Sequence, residues 1–153
     1  MKVKLEQIIE GMEMQSEESR SFLNLKTGEV VYVSREVLTI AEDDDEYTHL
    51  PEWQQDELEI AKTIVFTINE YASLPSSFDI NEYDMMEDFC YSLSNDKNRD
   101  ILLDSIRGKG AFRRFKDNVE HLGISDKWYA FRDQKYKEIA IEFCKSKNLD
   151  YIE

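Results

Sequence analysis

Breakers are scarce in this chain: its 153 residues include two prolines and five glycines. So few interruptions exclude disorder over most of the length and favour a helix-rich fold. Cysteine is limited to Cys90 and Cys144. Each falls on an apolar helical stripe, outside any CxxC or loop pair, so the expectation is two buried thiols in a reducing compartment and no disulfide. No apolar run reaches the roughly 18 to 20 residues that cross a bilayer. The opening MKVKLEQIIEGMEMQ is broken by charge too early for a signal peptide. The expected location is the cytoplasm, without a membrane partner.

Positive charge is missing from the middle of the chain. Residues 36–96 hold one basic residue, Lys62, against seventeen acidic ones. The flanking stretches 1–35 and 97–153 carry −1 and +3, within a total of −14. Such polarity is met either by folding opposite charges together or by presenting two faces of opposite sign to partners. With 41% hydrophobic residues, the length suits one core, so the chain reads as a single domain. Its parts are a helix plus β-hairpin (1–35), an acidic helical part (36–96) and a mildly basic helical part (97–153).

Periodicity fills in the parts. Val3 or Leu5 with Ile8, Ile9 and Met12 recur at helical spacing. In FLNLKTGEVVYV the period changes to that of two extended segments, 22–25 and 29–33, with Gly28 free to take the positive φ of a tight hairpin. A lone hairpin is marginal in water, so it must lie on helices or pair with another chain, which makes a homodimer a candidate assembly. EDDDE (42–46) reads as a solvated loop, and Pro51 as the approach to a helix. Leu58, Ala61, Ile64, Val65, Ile68, Tyr71 and Ala72 predict a core helix over 56–72.

After LPSS (74–77), Asp79 and Glu82 form a capping-box-like start for a helix with Tyr83, Met86, Phe89, Cys90 and Leu93 inward. Asp84, Glu87, Asp88 and Tyr91 tend outward. SND (94–96) caps the next helix, which runs to Gly108. Phe112, Phe115, Val119 and Leu122 define another that Gly123 ends, and Ser125 caps the last, with Trp128, Tyr136, Ile139 and Phe143 as its stripe. The expected architecture is α+β and mostly helical: an N-terminal helix and one hairpin packed on about five helices.

One segment concentrates cations. RGKGAFRRFK (107–116) holds Arg107, Lys109, Arg113, Arg114 and Lys116 with no acidic residue. At about 100° per residue, Phe112 and Phe115 turn toward the core, Arg113 and Arg114 turn away from it, and Lys116 stands at the margin. Where one helix ends and the next begins, free amides beside Arg and Lys make an anion or partner site a physical candidate. The competing reading pairs these cations with carboxylates of residues 36–96 inside the chain, and that pairing is the first expectation. GKG lacks the spacing, the following Ser or Thr and the preceding strand of a phosphate loop, and binding to nucleic acid ranks last.

Arg132 falls among apolar residues of the last helix. Its guanidinium must find a carboxylate, with Asp84, Glu87 and Asp88 as candidates, stack on an aromatic ring, or snorkel to water. Catalysis has little to build on. His49 and His121 lie in no metal spacing, no nucleophile motif occurs, and EDDDE lacks the ligand alternation of a calcium loop. The reading therefore expects no metal and no cofactor, and leans away from an enzyme. A pocket joining Arg132 to Tyr129 or Tyr136 and the carboxylates near Asp84 is the weaker alternative.

The stretches FDINEYDMMEDF (78–89), RGKGAFRRFKDNVEHLGISDKWYAFRD (107–133), KEIAIEFC (137–144) and LNLKTGEVVYVS resemble a family of small acidic bacterial proteins classed as an uncharacterised protein family. GKGAFRRFKD and WYAFRD are the most specific part of that likeness, which spans nearly the whole chain. The resemblance implies a bacterial cytoplasmic protein of unknown function and carries over no catalytic or binding residue. The leading functional expectation is a non-enzymatic protein-interaction or regulatory protein with an unidentified protein partner. The alternative is a nucleic-acid-related role, through the basic box or through an acidic face that imitates DNA.

Overall fold

The computed structural model describes residues 2–43 and 50–153. Asp44, Asp45 and Glu46 of the acidic run, and His49, lie outside them. The fold is α+β and mostly helical, and the backbone divides into two compact units: Met1–Asp79 with Ile139–Glu153, and Ile80–Glu138.

The first unit is built on a three-stranded sheet. The hairpin strands β2 (Ser19–Asn24) and β3 (Val30–Ser34) pair antiparallel with Phe22 opposite Val31, and Gly28 in their connection has φ 80°. Its positive φ is the conformation the hairpin reading asked of it. β4 (Tyr71–Ser73) pairs antiparallel with the other side of β2, giving the order β3-β2-β4. This corrects the helix expected over 56–72. α3 (Glu52–Phe66) ends at Thr67, a short 3-10 turn follows at Ile68–Glu70, and Tyr71 and Ala72 are strand. β-branched Thr67 and Ile68 fit a helix poorly, and three residues of strand are too few to set up a readable alternation. Because β2 is interior, β3 is the hairpin strand left with an open side. Its last amide, Ser34 N–H, donates to Glu57 Oε1 at 2.6 Å.

Two helical layers cover the sheet. Phe22 and Val33 share one face and pack with Val37, Leu38 and Ala41 of α2 (Arg35–Glu42) and Leu58, Ala61 and Ile64 of α3. α2 was not foreseen; Ser34 starts it by accepting from Val37 N–H. The opposite face carries α1 (Leu5–Met14), and Gly11 is where the two touch. Ser21 Oγ donates to Gly11 O at 2.8 Å, satisfying a buried hydroxyl at the contact. A separate parallel pair joins β1 (Lys2–Lys4) to β5 (Asp150–Ile152), with Val3 fully buried opposite Tyr151.

The second unit consists of α4 (Glu82–Ser92), α5 (Asp96–Ser105), α6 (Ala111–His121) and the first part of α7 (Ser125–Ser146). Asn95 caps α5 as the SND reading expects. The capping box at Asp79 and Glu82 does not form. Asn81 accepts from Asp84 N–H instead, while the Asp79 carboxylate accepts from Ser76 N–H and Oγ. α6 closes with a Schellman pair, Gly123 N–H to Glu120 O and Ile124 N–H to Val119 O, each 3.0 Å, with Gly123 at φ 70°. The core is an aromatic cluster of Phe89, Phe115, Trp128 and Phe131. Phe115 and Trp128 meet edge to face at 4.8 Å between ring centres.

Candidate functional site

The basic box sits at the junction of α5 and α6. Gly108 and Gly110, at φ 75° and 78°, let the chain turn from one helix into the next within Ile106–Gly110. Three carbonyls are left bare by that turn: Ser105 O at the end of α5, Arg107 O and Lys109 O. Arg114 folds back from α6 and donates to all three, with Nε at 3.0 Å from Ser105 O and its two terminal nitrogens on Lys109 O and Arg107 O. A planar guanidinium is the one side chain whose fork can reach three acceptors at once. Asn118 Nδ2 donates to Ser105 Oγ, which itself donates to Ile101 O at 2.8 Å, so the end of α5 is tied twice to α6.

Arg114 is therefore spent on carbonyls rather than on any carboxylate among the described residues. The charge of Lys116 favours the ionised form of the Glu82 carboxyl. Arg107, Lys109 and Arg113 are exposed, and among the described residues no carboxylate lies within 4.0 Å of them. Phe112 departs from its expected place: it is 48% exposed, whereas Phe115 is fully buried. Ala111, Phe115 and Val119 define the inward line of α6, and Phe112, about 60° around the helix from Phe115, falls outside it. The first turn of α6 thus presents an aromatic ring and an arginine side by side.

A second polar group lies between α4 and α7. Arg132 Nη2 donates to Glu82 Oε1 at 2.8 Å and to the Tyr136 hydroxyl at 3.2 Å, and the guanidinium sits 4.3 Å from the Tyr136 ring centre. Tyr136 in turn donates to Glu82 Oε1 at 2.5 Å. The carboxylate on this guanidinium nitrogen is Glu82, two residues before the candidate Asp84 and about one and a half turns before Glu87 and Asp88. Asp84 is exposed, and Asp88 lies 4.0 Å from Lys135 Nζ. Partial burial pushes the Glu82 carboxyl up. Hydrogen bonds from Tyr136 and Arg132, with the charges of Arg132 and Lys116, outweigh that and hold it below the ordinary carboxylate value.

Glu82 was hidden in the sequence by its fit to the supposed capping box. A better signal was Asn81, a stronger cap that makes Glu82 the first helical residue and turns it along α4 toward the neighbouring helix. Tyr136 was legible as part of the stripe, though not as a hydroxyl donor. The thiols do nothing acidic: desolvation raises Cys144 and takes Cys90 to about 11, far from a nucleophilic thiolate. His121 is exposed in the last turn of α6. Among the described residues no group of three or more His, Cys, Asp or Glu side chains is placed to hold a metal, and no helix is long and apolar enough to cross a membrane.

Comparison with curated proteins and with solved structures gives no match. The model of an uncharacterised protein family, UPF0158, matches residues 1–153, and the chain belongs to that family.

Proposed function

We propose that this chain is a bacterial cytoplasmic, non-catalytic interaction protein that docks an acidic partner protein on the first turn of α6. One observation carries the reading: Phe112 is exposed beside Arg113, and Arg113, Arg107 and Lys109 have no carboxylate partner among the described residues. Aromatic and arginine side chains dominate binding energy at protein interfaces, and an arginine whose charge is not already paired gains most from a partner carboxylate. The Arg114 clamp fixes the turn that displays them, so little order has to be created on binding. A protein fits better than a nucleic acid. Three cations without a carboxylate partner among the described residues release few counterions, and the chain's overall charge of −14 repels a polyanion at long range.

The test places a photocrosslinking amino acid at Phe112 in cells that make the protein naturally. Adducts that resist nuclease and disappear when Arg113→Glu is added support the reading. Adducts destroyed by nuclease transfer the surface to the nucleic-acid alternative. No adduct, or adducts indifferent to Arg113→Glu, overturns it.

A further inference from the structure

The first unit holds a cleft of about 480 Å³, between the end of β4, the Leu74–Ser76 segment and the last turns of α7. From its position in β2, Arg20 shares a sheet face with Phe22 and with Ser73, which lies directly across from Phe22. Two contacts fix its guanidinium. Nη2 donates to Ser73 Oγ at 2.9 Å, and the carbon at its centre stands 5.0 Å from the Phe22 ring centre. Among the described residues no carboxylate lies within 4.0 Å of it. The remaining N–H groups of a rigidly held fork are thus uncommitted at the wall of the cleft.

The rest of the lining suits an apolar body. Leu74, Pro75, Ile139 and Phe143 form it, with Leu74 and Phe143 largely buried. Of the two acids present, Asp79 is occupied by Ser76 N–H and Oγ, at 3.0 and 3.1 Å. Glu142 is exposed, and Lys147, just past the end of α7, brings a cation to the same lining. The volume falls within the range of small-ligand sites, roughly 300 to 1,000 Å³.

We infer that this cleft binds a small organic carboxylate with an aliphatic tail, its carboxylate on Arg20 and its tail on Leu74, Ile139 and Phe143. A carboxylate matches the guanidinium fork in geometry and charge, and such charge-assisted pairs are about twice as strong as neutral hydrogen bonds. Nothing in this inference depends on the α6 surface, so either can fail alone.

The probes are octanoate and octanamide, titrated into the full chain and followed by the amide NMR signals of Ser73, Leu74 and residues 139–147. Octanoate should give saturable shifts by about 10 mM and bind at least about tenfold more tightly than the amide, the scale of one charge-assisted hydrogen bond. Arg20→Gln should bring the two probes level, and Arg20→Lys should restore part of the difference. The inference is overturned by equal binding of acid and amide, by absence of saturation, or by a preference that survives Arg20→Gln. Response to N-acetyl-Leu-Phe but not to octanoate also overturns it, moving the site to peptide ends. The acid-against-amide comparison on the unaltered chain decides the matter even if a variant fails to fold.

Discussion

Arg132→Leu should destabilise the protein by about 2 kcal/mol at pH 7, measured by urea unfolding followed through Trp128 fluorescence in a Trp53→Phe background. Trp53 is 67% exposed, so its replacement should be nearly neutral. The magnitude follows from what the guanidinium touches. Its ion pair with Glu82 has side chains 23% and 30% exposed, between the surface case of about 0.2 to 1 kcal/mol and the buried case of about 3 to 5. The contact with the Tyr136 face adds about 0.5 to 1 kcal/mol, while leucine retains most of the packing of the arginine stem. Glu82, left behind, keeps its bond from Tyr136 and is open enough to recruit water, which caps the loss. The pH dependence is the sharper check. The folded Glu82 carboxyl titrates below its ordinary value of 4.5, so the unfolded chain takes up the proton first as pH falls. Its stabilising contribution is fully present above pH 4.5 and is lost as pH drops through the folded value. The penalty of Arg132→Leu should therefore hold from pH 7 to about 5 and shrink below 4.5. A loss under about 0.5 kcal/mol at pH 7, typical of an unconstrained surface residue, would refute the reasoning and restore the snorkelling reading.

Arg114→Lys keeps the charge but cannot span Ser105 O, Arg107 O and Lys109 O together. It should cost about 1 kcal/mol and speed hydrogen exchange at Gly108 to Ala111, whereas Arg113→Lys leaves both unchanged. Gly11→Ala should destabilise by about 1 to 2 kcal/mol in the same urea assay, although alanine is the better helix former by about 1. The added Cβ would stand 2.6 Å from Leu74 Cδ1 and 2.8 Å from Val30 Cγ1, in a contact where both must yield. Retention of wild-type stability would mean that α1 can lift off the sheet without loss.

Signals that act within one turn were readable. The stripe of α3 up to Ile64, the hairpin around Gly28, the Asn95 cap and the Schellman end at Gly123 are all set by residues two to five apart. β1, β4 and β5 escaped because each is three residues long and exists only through a distant partner: Val3 with Tyr151, Ala72 with Leu23. Phe112 was misplaced for a related reason. A helical wheel orders residues around an axis, but which arc faces inward is decided by neighbours, here Phe89 and Trp128 around Phe115. Glu82 was missed because a plausible local role, the capping box, concealed a contact fifty residues away.

The charge of the chain invited one inference that Arg114, among the described residues, does not follow. A surplus of acid in residues 36–96 and a cationic box at 107–116 imply mutual neutralisation only if both can reach contact, since exposed charges further apart than about 8 Å are screened. Dipoles compete at shorter range. The end of α5 and the turn after it offer three carbonyls within one side-chain length of Arg114, carrying the negative end of a helix dipole, and no count of Asp and Glu registers them. Arg113 lies about 100° around α6 from Arg114 and is exposed, as is Phe112 beside it. The exposed Phe112 and Arg113 thus stand at a helix junction that satisfies its own backbone with Arg114. A surface meant only to balance internal charge would have no reason to leave them together.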